Sequence, residues 1–156
     1  MTERNAPIQT GENAPDFTLR DHNGGKFTLS DFKGKKVLLS FHPLAWTDIC
    51  ARQMESLEAN ADTFNSLNTV AAGINVDPQP SKKAWAESLG IKKTPLLSDF
   101  WPHGDVTRLY SLFREKEGFS ERANAVVDEN GKVAFAKVYP IGELPDIEEV
   151  IEQLKK

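Results

Sequence analysis

The sequence predicts an α/β fold in which a central mixed sheet is flanked by helices and entered through an N-terminal β-hairpin. Three observations carry that expectation. Compact apolar runs at 37–41 and 69–76 have the length of buried strands. The segment between them has helical spacing, with Ile49, Met54, Leu57, Ala61, Phe64 and Leu67 on one stripe. Ahead of them, two alternating segments, Phe17-Thr18-Leu19 and Lys26-Phe27-Thr28-Leu29, flank Asn23-Gly24-Gly25, a hairpin signal.

Taken in order, residues 1–13 are polar and read as loose. The hairpin follows, and a short turn at 30–34 leads into the strand at 37–41. A helix from about Asp48 to Asn65 is long enough to bend. The strand at 69–76 ends at the breaker Asp77-Pro78. Residues 81–89 read as a helix with Trp85 and Leu89 on one face, closed by Gly90. A short strand at 96–98 and the turn Pro102-His103-Gly104 precede a helix that Asp105 can cap, reaching about Leu112. Strands at 123–127 and 132–138 are joined by Asp128-Glu129-Asn130-Gly131. The last helix, 146–154, turns Ile147, Val150, Ile151 and Leu154 inward. A hairpin, a βαβα half and a ββα end give the thioredoxin-like order.

With 156 residues and 39% hydrophobic residues, the sequence has enough apolar material for one packed domain over 1–156. The net charge of −4 argues against a nucleic-acid partner, which needs a basic face. No apolar run approaches the ~20 residues of a membrane span, and the first residues lack the apolar stretch of a signal peptide. One cysteine cannot form an internal disulfide, which suits a reducing compartment, so a cytoplasmic protein is expected.

That cysteine lies in the most informative stretch, Pro43-Leu44-Ala45-Trp46-Thr47-Asp48-Ile49-Cys50. Thr47 is a natural N-cap, which puts Cys50 at the third helical position, beyond the end of a central strand. Backbone amides there lack internal partners and the helix dipole favours negative charge, so the nucleophilic thiolate is favoured. The Thr47 hydroxyl, one turn away, can donate to the sulfur or to a substrate oxygen. Pro43 can shape the loop and shield one side of the sulfur. Gln53, three positions on, lies near the same helix face, or else is a solvated helix residue. Trp46 can line a pocket or belong to an interface. His22, His42 and His103 lie in separate segments and suggest no metal site.

The spacing Pro-x-x-x-Thr-x-x-Cys at Pro43, Thr47 and Cys50 resembles the signature of the peroxiredoxins. The likeness continues through 14–19, 95–104 and 122–128, and the last two segments resemble the alkyl hydroperoxide reductase E branch of one-cysteine enzymes. The resemblance implies a thiol-dependent peroxidase that reduces hydrogen peroxide and organic hydroperoxides through a cysteine sulfenic acid. It implies that Arg122 reaches over the sulfur to hold the thiolate and polarise the peroxide, where Gln53 can orient it. It also implies a homodimer. Metal, haem and nucleotide are not required. With one cysteine, the resolving thiol comes from outside, as a small thiol or a redoxin. A peroxide-sensing relay or chaperone on the same fold is the alternative, and a binding module with dead chemistry is disfavoured by the intact motif. Two positions depart from the family pattern. Asp48 stands where a proline or small residue is usual, and Ala125 where an aromatic residue is usual, which implies local repacking and a roomier neighbourhood.

Overall fold

A computed structural model describes residues 6–156. Strands β1 (Thr18–Asp21) and β2 (Lys26–Thr28) form the expected hairpin, and a 3-10 turn at Leu29–Phe32 leads into β3 (Lys36–Phe41). Helices α1 (Asp48–Ala59) and α2 (Ala61–Ser66) follow, then β4 (Thr69–Asn75), α3 (Gln79–Leu89), β5 (Leu96–Ser98) and α4 (Asp105–Leu109). A two-stranded hairpin, β6 (Phe113–Arg114) and β7 (Phe119–Ser120), precedes β8 (Arg122–Val127), β9 (Val133–Tyr139) and α5 (Ile147–Leu154).

The main sheet has the order β2-β1-β5-β4-β3-β8-β9. Strands β3, β4 and β5 run parallel, while β1 joins β5 and β8 joins β3 antiparallel, so the sheet is mixed as the sequence predicts. Strand alternation divides the core. Leu39, Phe41, Ile74, Ala123 and Ala125 face a cluster completed by Phe17, Phe27 and by Tyr110 beside α4. Leu38 and Val126 face the other cluster, which α1, α3 and α5 close with Cys50, Met54, Leu57, Trp85, Val150 and Leu154.

Two glycines matter to this packing. A Cβ at Gly73 would overlap Met54 Sδ, so the bare backbone of β4 is what lets α1 lie close to the sheet. Gly90 ends α3 in the left-handed conformation, φ 71°, which costs a glycine little.

Three expectations are corrected and one element is added. The Asp48–Asn65 segment is two helices, because the chain leaves helical geometry at Asn60, where φ is −103° and ψ 13°. The helix at Asp105 is capped by Gly104 and stops at Leu109; the chain then turns through Ser111, a non-glycine residue with φ 54°. The β6–β7 hairpin is an element that the sequence reading missed, since two-residue strands carry no periodicity. The loose segment at 1–13 lies in part outside the described residues. Within them, Ile8 is buried, its amide donates to the Tyr110 carbonyl, and Gly11 and Asn13 are tied to the β8–β9 turn and the start of β9. A cleft of about 210 Å³ is lined by Ile8, Leu112, Ala125 and Ala136 among others.

Candidate active site

Helix α1 starts at Asp48, directly beyond the loop that leaves β3, and Cys50 is its third residue. The first intrahelical bond runs from the Ala51 amide to the Thr47 carbonyl at 2.9 Å, so the Asp48, Ile49 and Cys50 amides precede the helical ladder. Thr47 occupies the cap position in the extended conformation, but its side chain caps no amide. Its hydroxyl donates instead to the Leu44 carbonyl at 2.8 Å. The expectation that this proton is given to the sulfur or to a substrate oxygen is corrected: the tight turn from Leu44 to Thr47 brings a carbonyl into reach first.

Cys50 is 1% exposed. Arg122, the first residue of β8, is 3% exposed and crosses to the sulfur, with Nη1 at 3.3 Å from Cys50 Sγ. The same nitrogen donates to Gln53 Oε1 at 2.8 Å, and Nε donates to the Ile141 carbonyl at 2.9 Å. Among the described residues Nη2 makes no hydrogen bond and no carboxylate touches the guanidinium. Burial of such a charge is costly unless partners compensate it, and the sulfur is the one group in contact that can carry a negative charge. Cys50 and Gln53, three residues apart on α1, are therefore joined by the distant Arg122 in one buried constellation. Gln53 is buried, not solvated.

Pro43 is buried at the start of the loop and Thr47 is exposed at its end. Trp46 is anchored on α3. The residue is 58% exposed, its backbone is left-handed at φ 69°, and its indole N–H donates to Ser81 Oγ at 3.1 Å on α3. A non-glycine residue in that region costs about 1–3 kcal/mol and persists only where its surroundings hold it. The histidines are separate, as read. His22 accepts from the Leu96 amide, His42 packs against Trp85, and His103 contacts the Gly118 carbonyl. Asp48, two residues before the cysteine, pairs with Arg52 at 3.3 Å on the exposed side of α1.

A second buried network holds the loop from below, and sequence reasoning missed it. Asp77 Oδ2 accepts from the Ala45 amide at 2.8 Å and from Asn75 Nδ2 at 2.6 Å. Asn75 Oδ1 accepts in turn from Lys82 Nζ at 2.7 Å, and Lys82 also donates to the Leu97 carbonyl at 2.9 Å. Lys82 is fully buried. Burial lowers its pKa from 10.5 to about 7, against the opposing attraction of Asp77 and Cys50. The available signal was position: Lys82 lies three residues before Trp85, on the inward stripe of α3.

The chain matches the AhpC/TSA family model over residues 10–136. It is 43% identical over 140 residues to alkyl hydroperoxide reductase E of Mycobacterium tuberculosis, covering 89% of this chain and 91% of that one. It is 30% identical over 164 residues to a thiol peroxidase of Oceanobacillus iheyensis, covering 100% and 98%. Among solved structures it resembles a reduced 2-Cys peroxiredoxin of Plasmodium vivax, with TM-score 0.86 and 27% identity over 96% of this chain and 81% of that one. The chain belongs to the AhpC/TSA family. It is a peroxiredoxin, an enzyme of thiol-dependent peroxide reduction, and its single cysteine fits the one-cysteine type.

The state of Lys82 gives a pH signature. Its folded pKa lies below its unfolded one, so between about 7 and 10.5 the unfolded chain binds more protons there and stability rises with pH. The slope from one such group reaches at most ~1.4 kcal/mol per pH unit. Denaturant unfolding of wild type and Lys82→Met across that window is expected to show the rise in wild type and its loss in the variant. Parallel pH profiles would show that Lys82 does not carry it.

Proposed function

We propose that Cys50 is the peroxidatic residue and that Arg122 is its catalytic partner, with Gln53 orienting the guanidinium. The observation that carries this reading is the buried contact of Arg122 Nη1 with Cys50 Sγ at 3.3 Å. The sulfur, as thiolate, attacks the terminal oxygen of a hydroperoxide. A sulfur–oxygen bond forms, the O–O bond breaks, and the alkoxide or hydroxide that leaves takes up a proton to become alcohol or water. Cys50 becomes a sulfenic acid. A first external thiol condenses with it to a mixed disulfide and water, and a second thiol releases Cys50 and carries off the disulfide.

The residues present support each part. Arg122 Nη2, without a protein partner among the described residues, offers donors to the oxygen on which charge develops. Thr47 acts through its oxygen as an acceptor, because its proton is engaged by Leu44. Pro43 covers the base of the loop, and the exposed Trp46 borders its outer rim as the approach for substrate. Because Cys50 is almost fully covered, a bulky reductant reaches it only after the first turn of α1 opens. The substrates are hydrogen peroxide and small organic hydroperoxides, and the reductant is a small thiol or a redoxin. We place the protein in the cytoplasm, where a lone thiol is kept reduced; among the described residues no helix is long and apolar enough to cross a membrane.

The same reading makes the protein a homodimer of single-domain chains. Leu44, Trp46, Phe100 and Trp101 are large apolar side chains exposed on two loops, and they supply contact area suited to a second copy.

Stopped-flow oxidation tests the chemistry. Cys50→Ser is expected to remove peroxide consumption, and Arg122→Ala to slow oxidation by ~10²–10³-fold while remaining folded, the scale of a lost transition-state donor. A wild-type rate in either variant would return that residue to a structural role. Sedimentation tests the assembly: a dimer is expected at tens of micromolar, roughly the range of a weak interface, and Trp101→Glu is expected to shift it to monomer. Wild-type protein sedimenting only as monomer would overturn the dimer.

A further inference from the structure

Strand alternation places Arg122, Asn124 and Val126 of β8, with Leu38 and Ser40 of β3, on the sheet face that α1 and α5 cover. That face is apolar around Leu38, Leu57, Val126 and Val150. Ser40 and Asn124, paired directly across the two strands, interrupt it with a hydroxyl and an amide, both buried. Buried polar groups cost stability unless every one finds a partner.

Here each finds one, and the bonds have a direction. Ser40 Oγ donates to Asn124 Oδ1 at 2.7 Å. Having given its proton away, Ser40 faces Gln53 as an acceptor, and Gln53 Nε2 donates to it at 2.7 Å and to the Phe41 carbonyl at 3.1 Å. With its NH₂ group held at β3, the Gln53 amide has to present its oxygen to Arg122, whose Nη1 reaches it at 2.8 Å and Cys50 Sγ at 3.3 Å. If Ser40 could instead donate to Gln53, the amide would turn and set an N–H donor against the guanidinium. The Asn124 acceptor prevents that reversal.

We propose that Ser40 and Asn124 are positioning residues for peroxide reduction: they fix the Gln53 amide so that its oxygen holds Arg122 against the Cys50 sulfur. The proposal rests on the roles given above to Cys50 and Arg122. It extends them by two residues that touch neither the sulfur nor the substrate.

Two readouts on the full chain test it. One is the stopped-flow rate of Cys50 oxidation by hydrogen peroxide. The other is the pair of Gln53 side-chain amide resonances in ¹⁵N-resolved NMR, recorded without peroxide. Asn124→Leu and Ser40→Ala are expected to move the Gln53 resonances and to slow oxidation about tenfold, the scale of one misdirected buried hydrogen bond. Ser40→Thr keeps the hydroxyl and is expected to restore both. Where a single variant fails to fold because one polar atom is left unpaired, the double variant Ser40→Ala/Asn124→Leu removes both together and is expected to slow oxidation likewise. Unmoved Gln53 resonances in the folded variants, or a wild-type rate despite moved resonances, would overturn the proposal. So would failure of Ser40→Thr to restore the rate. Failure of the functional reading itself looks different, as wild-type protein inert to peroxide with its Gln53 resonances in place.

Discussion

A guanidinium buried, among the described residues, without a carboxylate partner is the constraint around which this structure is arranged. Arg122 sits at the start of β8 with three neighbours: the Cys50 sulfur, the Gln53 amide oxygen and the Ile141 carbonyl. Two of the three are neutral, so the sulfur is left as the group able to balance the charge. The fold supplies the contact by adjacency. Strand β3 lies between β4 and β8, so the loop leaving its C-terminal end delivers α1, with Cys50 in the first turn, beside the first residue of β8.

The loop between β3 and α1 has to hold its shape for that contact to exist. It contains a tryptophan in the left-handed region, a conformation that is stable only when fixed from several sides. The Ala45 amide is tied to Asp77, the Trp46 indole to Ser81, and the Thr47 hydroxyl back to Leu44. Asp77 is itself part of a buried chain through Asn75 to Lys82. The loop is thus supported from the β4–α3 connection, while the guanidinium is supported from β3 and β8. Two independent supports meet at one sulfur, which is how a site with so little exposed surface keeps its geometry.

Much of this was legible in the sequence because the signals were local. The apolar runs gave the central strands, Gly90 closed α3, and the spacing of Pro43, Thr47 and Cys50 put the thiol at the start of a helix. Arg122 at the head of an apolar strand reads by itself as a solvated strand end, and only the family resemblance pointed it at the sulfur. What stayed hidden depends on partners distant in sequence. Lys82 reads as an ordinary helix lysine until the packing of α3 against β5 encloses it. Ser40 and Asn124 look like blemishes in two apolar strands until the register sets them opposite each other. That the Thr47 hydroxyl donates to Leu44, and not to the sulfur or a substrate oxygen, is hidden because sequence spacing alone does not show which carbonyl a loop brings nearer.

The most direct test is intact-mass measurement of the reduced protein after one molar equivalent of hydrogen peroxide, with no thiol present, followed by addition of a small thiol. The account predicts a gain of one oxygen located at Cys50, replaced on thiol addition by a mixed disulfide at the same residue and then by the starting mass. An unchanged mass with Cys50 still open to alkylation, or oxygen found only on Met1 or Met54, would contradict it.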